Sequence, residues 1–272
     1  MEYVACVSAL LLVAAWHLLI LYLSPILGLI KPNFKHETIP ASYGIIMLGY
    51  MLAGLAFFAT LFPPTRVLVI PVMFTASSMC ILGYIDDVFG SREASGFRGH
   101  FKMLLCQGKL TTGAAKAIGG GIVGIAAGYF LSDGNIARWI LAALLIPLGA
   151  NTLNLLDLRP GRACGVLLFG LLLVMPFTFN NGHWGIITLV AIITLAFAIP
   201  DGLGKAMMGD SGSNQLGAIL GTLVASQTHI LFQIAAVICM VGIQLYSEKH
   251  SITVLIERNP LLKKIDRILG VR

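Results

Sequence analysis

The feature that most constrains this chain is a series of long apolar stretches separated by polar breaks. An α-helix needs about 20 apolar residues to cross roughly 30 Å of hydrocarbon, and about nine stretches approach or exceed that length. They span residues 3–30, 41–62, 66–84, 111–131, 136–156, 164–179, 184–200, 212–227 and 229–246. Only 11% of the residues are charged, against about 25% in a soluble domain. The sequence therefore predicts an all-α polytopic membrane protein.

The same pattern divides the chain into one membrane domain and a tail. Residues 1–246 are predicted to form a single transmembrane domain, and residues 247–272 a basic amphipathic cytoplasmic tail. The first stretch has no basic residues before it and no small-residue cleavage site, so we expect a retained helix rather than a signal peptide. Residues 96–110 mix apolar and basic side chains, which predicts a second amphipathic segment in the membrane interface.

The distribution of Lys and Arg predicts the orientation, because cytoplasmic loops retain positive charge. With nine spans, sixteen of the 18 basic residues fall on one side, and only Arg66 and Arg138 fall on the other. The first side is therefore predicted to be cytoplasmic, with the N-terminus outside and the C-terminus inside. The net charge of +6 then reflects topology and attraction to anionic lipids, and it indicates no nucleic-acid partner.

Five of the twelve acidic residues lie at ends of predicted spans on that cytoplasmic side. They are Asp86, Asp87, Asp157, Asp201 and Asp210. A carboxylate near hydrocarbon costs about 2.5 to 3.5 kcal/mol on insertion scales, so it indicates a functional site by default. A single Asp could simply cap a helix in the wet interface, but three acidic clusters on one face favour a site.

The residue types around these carboxylates indicate phosphate chemistry. Adjacent Asp86 and Asp87 repel each other unless a cation or shared proton compensates them. Mg²⁺, or Mn²⁺ in its place, is the simplest compensation, and Mg²⁺ usually takes one or two carboxylates plus substrate phosphates. In the segment 209–217 the glycines admit close backbone approach, and a helix N-terminus is a ready phosphate site. We therefore expect Ser211 and Ser213 to cap that helix.

A polar stripe lies at the end of the predicted fifth span. Asn151, Asn154 and Asp157 are spaced three residues apart, so they share one face of a helix end. Such a stripe could bind sugar or ribose hydroxyls, or could hold a catalytic carboxylate.

Three of these motifs, in this order, resemble one known family. The motifs are GYIDD at 83–87, NxxNxxD at 151–157 and GDSGSxxLG at 209–217, with KPN at 31–33 upstream. Over about residues 20–225 the chain is similar to the polyprenyl-phosphate N-acetylhexosamine-1-phosphate transferases, a family that includes the phospho-N-acetylmuramoyl-pentapeptide transferase. Each motif alone is weak, whereas three in order on one predicted face are specific.

The resemblance implies an activity and its partners. A sugar 1-phosphate would pass from a UDP-sugar, of the N-acetylhexosamine or N-acetylmuramoyl type, to polyprenyl phosphate in the cytoplasmic membrane, and UMP would leave. The products would feed cell-envelope glycan synthesis, and the active site would face the cytoplasm. Besides these substrates, the expected partners are membrane lipids. The sequence does not decide the oligomeric state, and a homodimer stays open.

The resemblance also implies roles for individual residues. Asp210 would be the metal ligand. Asp86 or Asp87 would deprotonate or orient the lipid phosphate or act as the nucleophile, and Asp157 with Asn154 would complete the centre. The expected substrate-binding residues are Asn151, Asn154, Lys35, Lys116, Ser211, Gly212 and Ser213.

The chain also departs from the family pattern. Members usually continue the second motif as DGxDG, but here Pro160 stands where the second Asp is expected, beside Arg159 and Arg162. The His-rich loop and tenth span of many members are not found in this sequence. These departures leave a diverged, non-catalytic relative as an alternative. A transporter or flippase is another, although transporters place their binding residues near the bilayer midplane.

Overall fold

In the computed structural model of the chain, the described residues are 14–90 without 34 and 42, the single positions 103 and 108, and 111–269. They contain eleven α-helices, two short 3₁₀ turns and one small β-hairpin. The first helices are α1 (Ala14–Leu23), α2 (Tyr43–Leu61), α3 (Arg66–Phe89), α4 (Thr112–Leu131), α5 (Ile136–Leu156) and α6 (Arg162–Val174). The remaining helices are α7 (Trp184–Gly202), α8 (Gly209–Gln227), α9 (Ile230–Ser247), α10 (Ile252–Arg258) and α11 (Pro260–Leu269).

The helices confirm an all-α polytopic membrane protein. Six of the described helices are long and apolar enough to cross a membrane: α2, α3 with the turn before it, α4, α5, α7 and α9. The other three predicted spans correspond to the shorter α1 and α6 and to α8. The count of nine spans therefore stays a prediction, as does the division into a membrane domain and a tail.

The first predicted span is longer than the helix in this region. Within its described part, α1 ends at Leu23 and turns follow over residues 24–28. Pro25 accounts for this end, because the residue before a proline is disfavoured in helical conformation, and Gly28 then takes a positive φ of 67°. The start of this span and the predicted surface segment 96–110, apart from positions 103 and 108, lie outside the described residues.

A two-stranded hairpin replaces continuous helix after α1. Strand β1 (Ile30–Pro32) pairs antiparallel with β2 (Thr38–Pro40), with Lys31 opposite Ile39. The Asn33 side chain fixes the loop between them, because its Oδ1 accepts from the amides of Lys35 and Glu37, while its Nδ2 donates to the Gly204 carbonyl. The hairpin is thereby joined to the loop that precedes α8.

Helix α8 forms the centre of the bundle. Every residue from Ser211 to Ala225 is buried, and α3 and α5 pack along it most extensively. Helices α5 and α8 approach each other closely because glycine has no side chain. A Cβ on Gly217 would overlap the Gly149 carbonyl, and one on Gly221 would overlap the Leu145 carbonyl. Because protein rather than lipid surrounds α8, the helix tolerates Ser, Thr, Asn and Gln, and this explains its weak apolar signal.

Helix α3 continues past its predicted end. The apolar stretch was expected to stop at residue 84, but the helix runs to Phe89, so Asp86 and Asp87 lie in its last turns rather than after it. Both carboxylates bind groups from other helices, and those contacts compensate them within the helical conformation. The extension carries them toward the start of α8.

Candidate active site

The centre of the site is an ammonium group between two carboxylates. Lys116 Nζ, in the first turns of α4, lies 2.7 Å from Asp86 Oδ2 on α3 and 2.6 Å from Asp210 Oδ2 on α8. The Lys116 side chain is only 14% exposed. Charge-assisted contacts of this length are the strong class of hydrogen bond, so three distant parts of the sequence meet at one charged cluster.

The polar stripe on α5 reaches the same cluster. Asn154 Nδ2 donates to Asp210 Oδ2 at 3.1 Å, and Asn154 Oδ1 accepts from Ser213 Oγ at 3.1 Å. Asn151 lies one turn earlier on the same helix. The amide of Asn154 thus orients the Asp210 carboxylate, because it contacts the same oxygen as Lys116.

Asp87 plays a different part from Asp86, because it caps α8. Its Oδ1 accepts from the Asp210 amide at 3.0 Å and its Oδ2 from the Ser211 amide at 2.9 Å. Gly209 permits this approach: it has a φ of 68°, and a Cβ there would lie 2.7 Å from Asp87 Oδ2. A carboxylate at a helix N-terminus also interacts favourably with the helix dipole.

The expectation that Ser211 and Ser213 cap this helix is therefore wrong. Both lie inside α8, and their hydroxyls donate backward, Ser211 Oγ to the Met208 carbonyl and Ser213 Oγ to the Gly209 carbonyl. Gly212 lies between them and packs closely against Met208. Any contact of these three residues with a substrate stays a prediction.

The lysine that reaches Asp87 is Lys31, which sequence reasoning did not select. Lys31 Nζ donates to the Asp87 carbonyl at 3.0 Å and lies 3.9 Å from Asp87 Oδ1. The predicted Lys35 is exposed on the hairpin loop, where its amide donates to Asn33. The KPN motif contained the relevant signal, but only the hairpin register reveals which lysine faces the site.

Asp157 and Asp201 extend the acidic region around Asp210. Asp157 follows α5, and its amide donates to the Leu153 carbonyl at 3.0 Å. Burial of its carboxyl group among protein atoms, followed by the nearby charges of Asp201 and Asp210, raises the pKa of Asp157 well above its usual range. Asp201 is 5% exposed and accepts from the Gly161 amide at 2.6 Å. Asp201 lies in the last turn of α7. Its burial and its contact with the Gly161 backbone indicate a structural role.

The donor chemistry of this region fits Mg²⁺. Asp86 and Asp210 offer carboxylate oxygen atoms, the ligand type that Mg²⁺ prefers. Within the described part of the chain, no group of three or more His, Cys, Asp or Glu side chains is arranged to hold a metal ion. Phosphate oxygens and water would complete the coordination around the carboxylates of the described residues, as is usual for Mg²⁺.

Comparison with known proteins gives the family. The sequence pattern of Glycosyl transferase family 4 matches residues 69–228, more than half of the chain. The chain is also 26% identical over 241 residues to the phospho-N-acetylmuramoyl-pentapeptide-transferase of Borreliella afzelii (strain PKo). That alignment covers 76% of this chain and 66% of the relative, just under two thirds of its length.

This protein belongs to Glycosyl transferase family 4. The matched region runs from α3 to the end of α8 and contains Asp86, Asp87, Lys116, Asn154 and Asp210. The resemblance inferred from the motifs is thereby confirmed.

Proposed function

We propose that this protein transfers a sugar 1-phosphate from a UDP-sugar to polyprenyl phosphate on the cytoplasmic face of the membrane, with UMP as the leaving group. The observation that carries the proposal is the convergence of α3, α4, α5 and α8 on one cluster of Asp86, Lys116, Asn154 and Asp210. Phosphoryl transfer depends mainly on positioning and neutralisation of charge, and these residues can supply both.

The proposed reaction changes two bonds. An oxygen of the polyprenyl phosphate attacks the β-phosphorus of the UDP-sugar, and the bond from that phosphorus to the oxygen bridging the two phosphates breaks. That oxygen leaves with UMP, and the product is a polyprenyl-diphosphate-linked sugar. The donor is expected to carry an N-acetylhexosamine or N-acetylmuramoyl group.

The residues of this cluster have separable roles in the proposal. Lys116 neutralises charge between Asp86 and Asp210, and Asn154 orients the Asp210 carboxylate. Asp86 is the better candidate to deprotonate or orient the lipid phosphate, because both oxygens of Asp87 already accept hydrogen bonds from backbone amides. Asp210 with Asp86 would hold Mg²⁺, which would supply further neutralisation of phosphate charge.

The test is a donor panel with purified protein. Protein, Mg²⁺ and polyprenyl phosphate are combined with UDP-N-acetylglucosamine, UDP-N-acetylgalactosamine or UDP-N-acetylmuramoyl-pentapeptide, and UMP and the lipid product are measured. We expect UMP release with one donor. Absence of UMP release with every donor of the panel, with lipid and metal present, would contradict the proposal.

A matched pair of variants ties the reaction to the site. Asp210→Asn should lower turnover about 100-fold or more, as when a group that stabilises transition-state charge is removed. Asp133→Asn makes the same chemical change at an exposed position between α4 and α5 and should leave turnover unchanged. Equal turnover in the two variants would count against the role of Asp210.

One observation favours a second candidate, a non-catalytic relative. Pro160 stands where the family pattern has its second Asp, and the neighbouring Arg162 binds Asp266 of the tail. Isothermal titration combined with the product assay separates the two functions. A non-catalytic relative binds UMP or polyprenyl phosphate without producing a lipid diphosphate, whereas the transferase forms that product.

A further inference from the structure

A buried ion pair joins the C-terminal tail to the loop beside the candidate site. Arg162, the first residue of α6, donates through Nε to Asp266 Oδ1 at 2.7 Å and through Nη2 to Asp266 Oδ2 at 3.2 Å. Asp266 lies on α11, 104 residues further along the chain. Arg162 is 2% exposed and Asp266 is 8% exposed. A bidentate pair fixes orientation as well as distance.

The loop that this pair anchors carries Asp157. Only four residues, 158–161, separate Asp157 from Arg162, and Gly161, with a φ of 77°, donates its amide to Asp201. The loop is thus held at three points: by α5 at Asp157, by Asp201 at Gly161 and by the tail at Arg162. A movement of Arg162 would therefore also move Asp157.

General stability does not account for this pair. Replacing a buried ion pair by well-packed apolar residues is often neutral or stabilising, whereas removing one partner is strongly destabilising. Next to it, Arg159 Nη2 and Glu257 Oε1 also join the loop to the tail, but that pair is partly exposed, and such pairs contribute little. The buried pair is therefore the directional contact between the two segments.

We propose that Arg162 and Asp266 are positioning residues: their ion pair ties α11 to the loop 157–162, so the C-terminal tail sets the geometry of Asp157 in the active site. The effect on turnover rests on the proposed transferase function, whereas the effect on the loop does not. In this chain α11 orders the loop that contains Pro160, the position where the family pattern has an acidic residue.

The first experiment measures the loop itself. Hydrogen–deuterium exchange is followed in peptides that cover residues 157–163 in the full-length protein. Asp266→Asn should exchange faster there than the wild type, while Glu257→Gln, the same removal of a tail carboxylate charge at an exposed pair, should not. Identical exchange in the two variants would overturn the proposal, whatever the protein's activity.

The second experiment separates positioning from stability. Asp266→Asn should lower kcat about 10-fold or more, the usual scale for partners that orient site residues, with the KM for polyprenyl phosphate unchanged. The double variant Arg162→Met with Asp266→Leu removes both charges and should restore the thermal midpoint, yet kcat should stay low. Recovery of wild-type kcat in the double variant would overturn the positioning role.

A third variant tests the positioning role if the double variant does not fold. Asp266→Glu retains the charge but moves the carboxylate by one methylene group, and we expect a lower kcat at an unchanged thermal midpoint. Wild-type kcat in this variant would contradict the proposal. If the wild type releases no UMP from any donor, the transferase function fails, and the exchange experiment alone decides the positioning.

Discussion

Lys116 balances the charges of two carboxylates in the site. Lys116 is the described cation that contacts both Asp86 and Asp210, and all three side chains are at least partly buried. Without it, two carboxylates of α3 and α8 would face each other in a region of low dielectric, where like charges repel strongly. Lys116 therefore contributes to the stability of the helix ends and to the chemistry proposed for them.

Replacing this lysine gives the first prediction. Lys116→Met should lower the free energy of unfolding by about 3 to 5 kcal/mol, as expected when one partner of a buried charged group is removed, and should abolish UMP release. Thermal unfolding in detergent and the donor assay measure the two effects. Lys205→Met, at an exposed position before α8, is the matched control and should change neither.

The neighbouring Asp86 and Asp87 should respond differently to the same substitution. Asp87→Asn leaves one oxygen for two amides of α8, so we expect a loss of about 1 kcal/mol of stability, typical of a helix cap. Asp86→Asn removes a charged contact with Lys116 without affecting the cap. Comparing the thermal midpoint and kcat of both variants tests this: a larger fractional loss of kcat in Asp87→Asn than in Asp86→Asn would contradict the assignment.

The residues of the site were largely predictable, but their partners were not. Five carboxylates at helix ends and three ordered motifs identified Asp86, Asp210 and Asn154 without a structure. The choice between Lys31 and Lys35 depends on the pairing of a hairpin, and the difference between Asp86 and Asp87 depends on which helix each side chain meets. Contacts between residues far apart in sequence follow from tertiary packing, which local patterns do not contain.

At the scale of elements, the contact between α5 and α8 gives a further prediction. Gly217→Ala should lower stability by about 1 to 3 kcal/mol, the usual effect of overpacking, because the new methyl group overlaps the Gly149 carbonyl. Since α8 also positions Asp210, kcat should fall as well. Gly121→Ala is the control, because nothing lies within 4 Å of a Cβ there and Ala favours the helix.

The boundaries of the elements show what apolar length can predict. The stretch 136–156 coincides with α5 because its ends coincide with polar residues and a cap by Asn135. Helix α3 exceeds its apolar stretch because Asp86 and Asp87 find partners inside the protein. Helix α8 is correctly expected from residue 212 onward, but its central place in the bundle became evident only from the packing of its glycines.

At the scale of the whole molecule, the site and the tail lie at the same end of the bundle. The ends of α3 and α5, the starts of α4 and α8, and the tail helices α10 and α11 are joined by Lys116, Arg159 and Arg162. These are all residues of the predicted positive side. The distribution of basic residues therefore predicts the face of the membrane on which the proposed site binds its substrates.

Cysteine labelling tests that orientation. In a background without the five native cysteines, Asn180→Cys and Lys249→Cys introduce single thiols at exposed positions, between α6 and α7 and after α9. The distribution of Lys and Arg predicts that the basic side faces the cytoplasm. A membrane-impermeant maleimide added to intact cells should therefore label Asn180→Cys, but should label Lys249→Cys only after permeabilisation. The reverse pattern would place the acidic cluster on the outer face, away from a nucleotide-sugar donor, and would remove the basis of the proposed reaction.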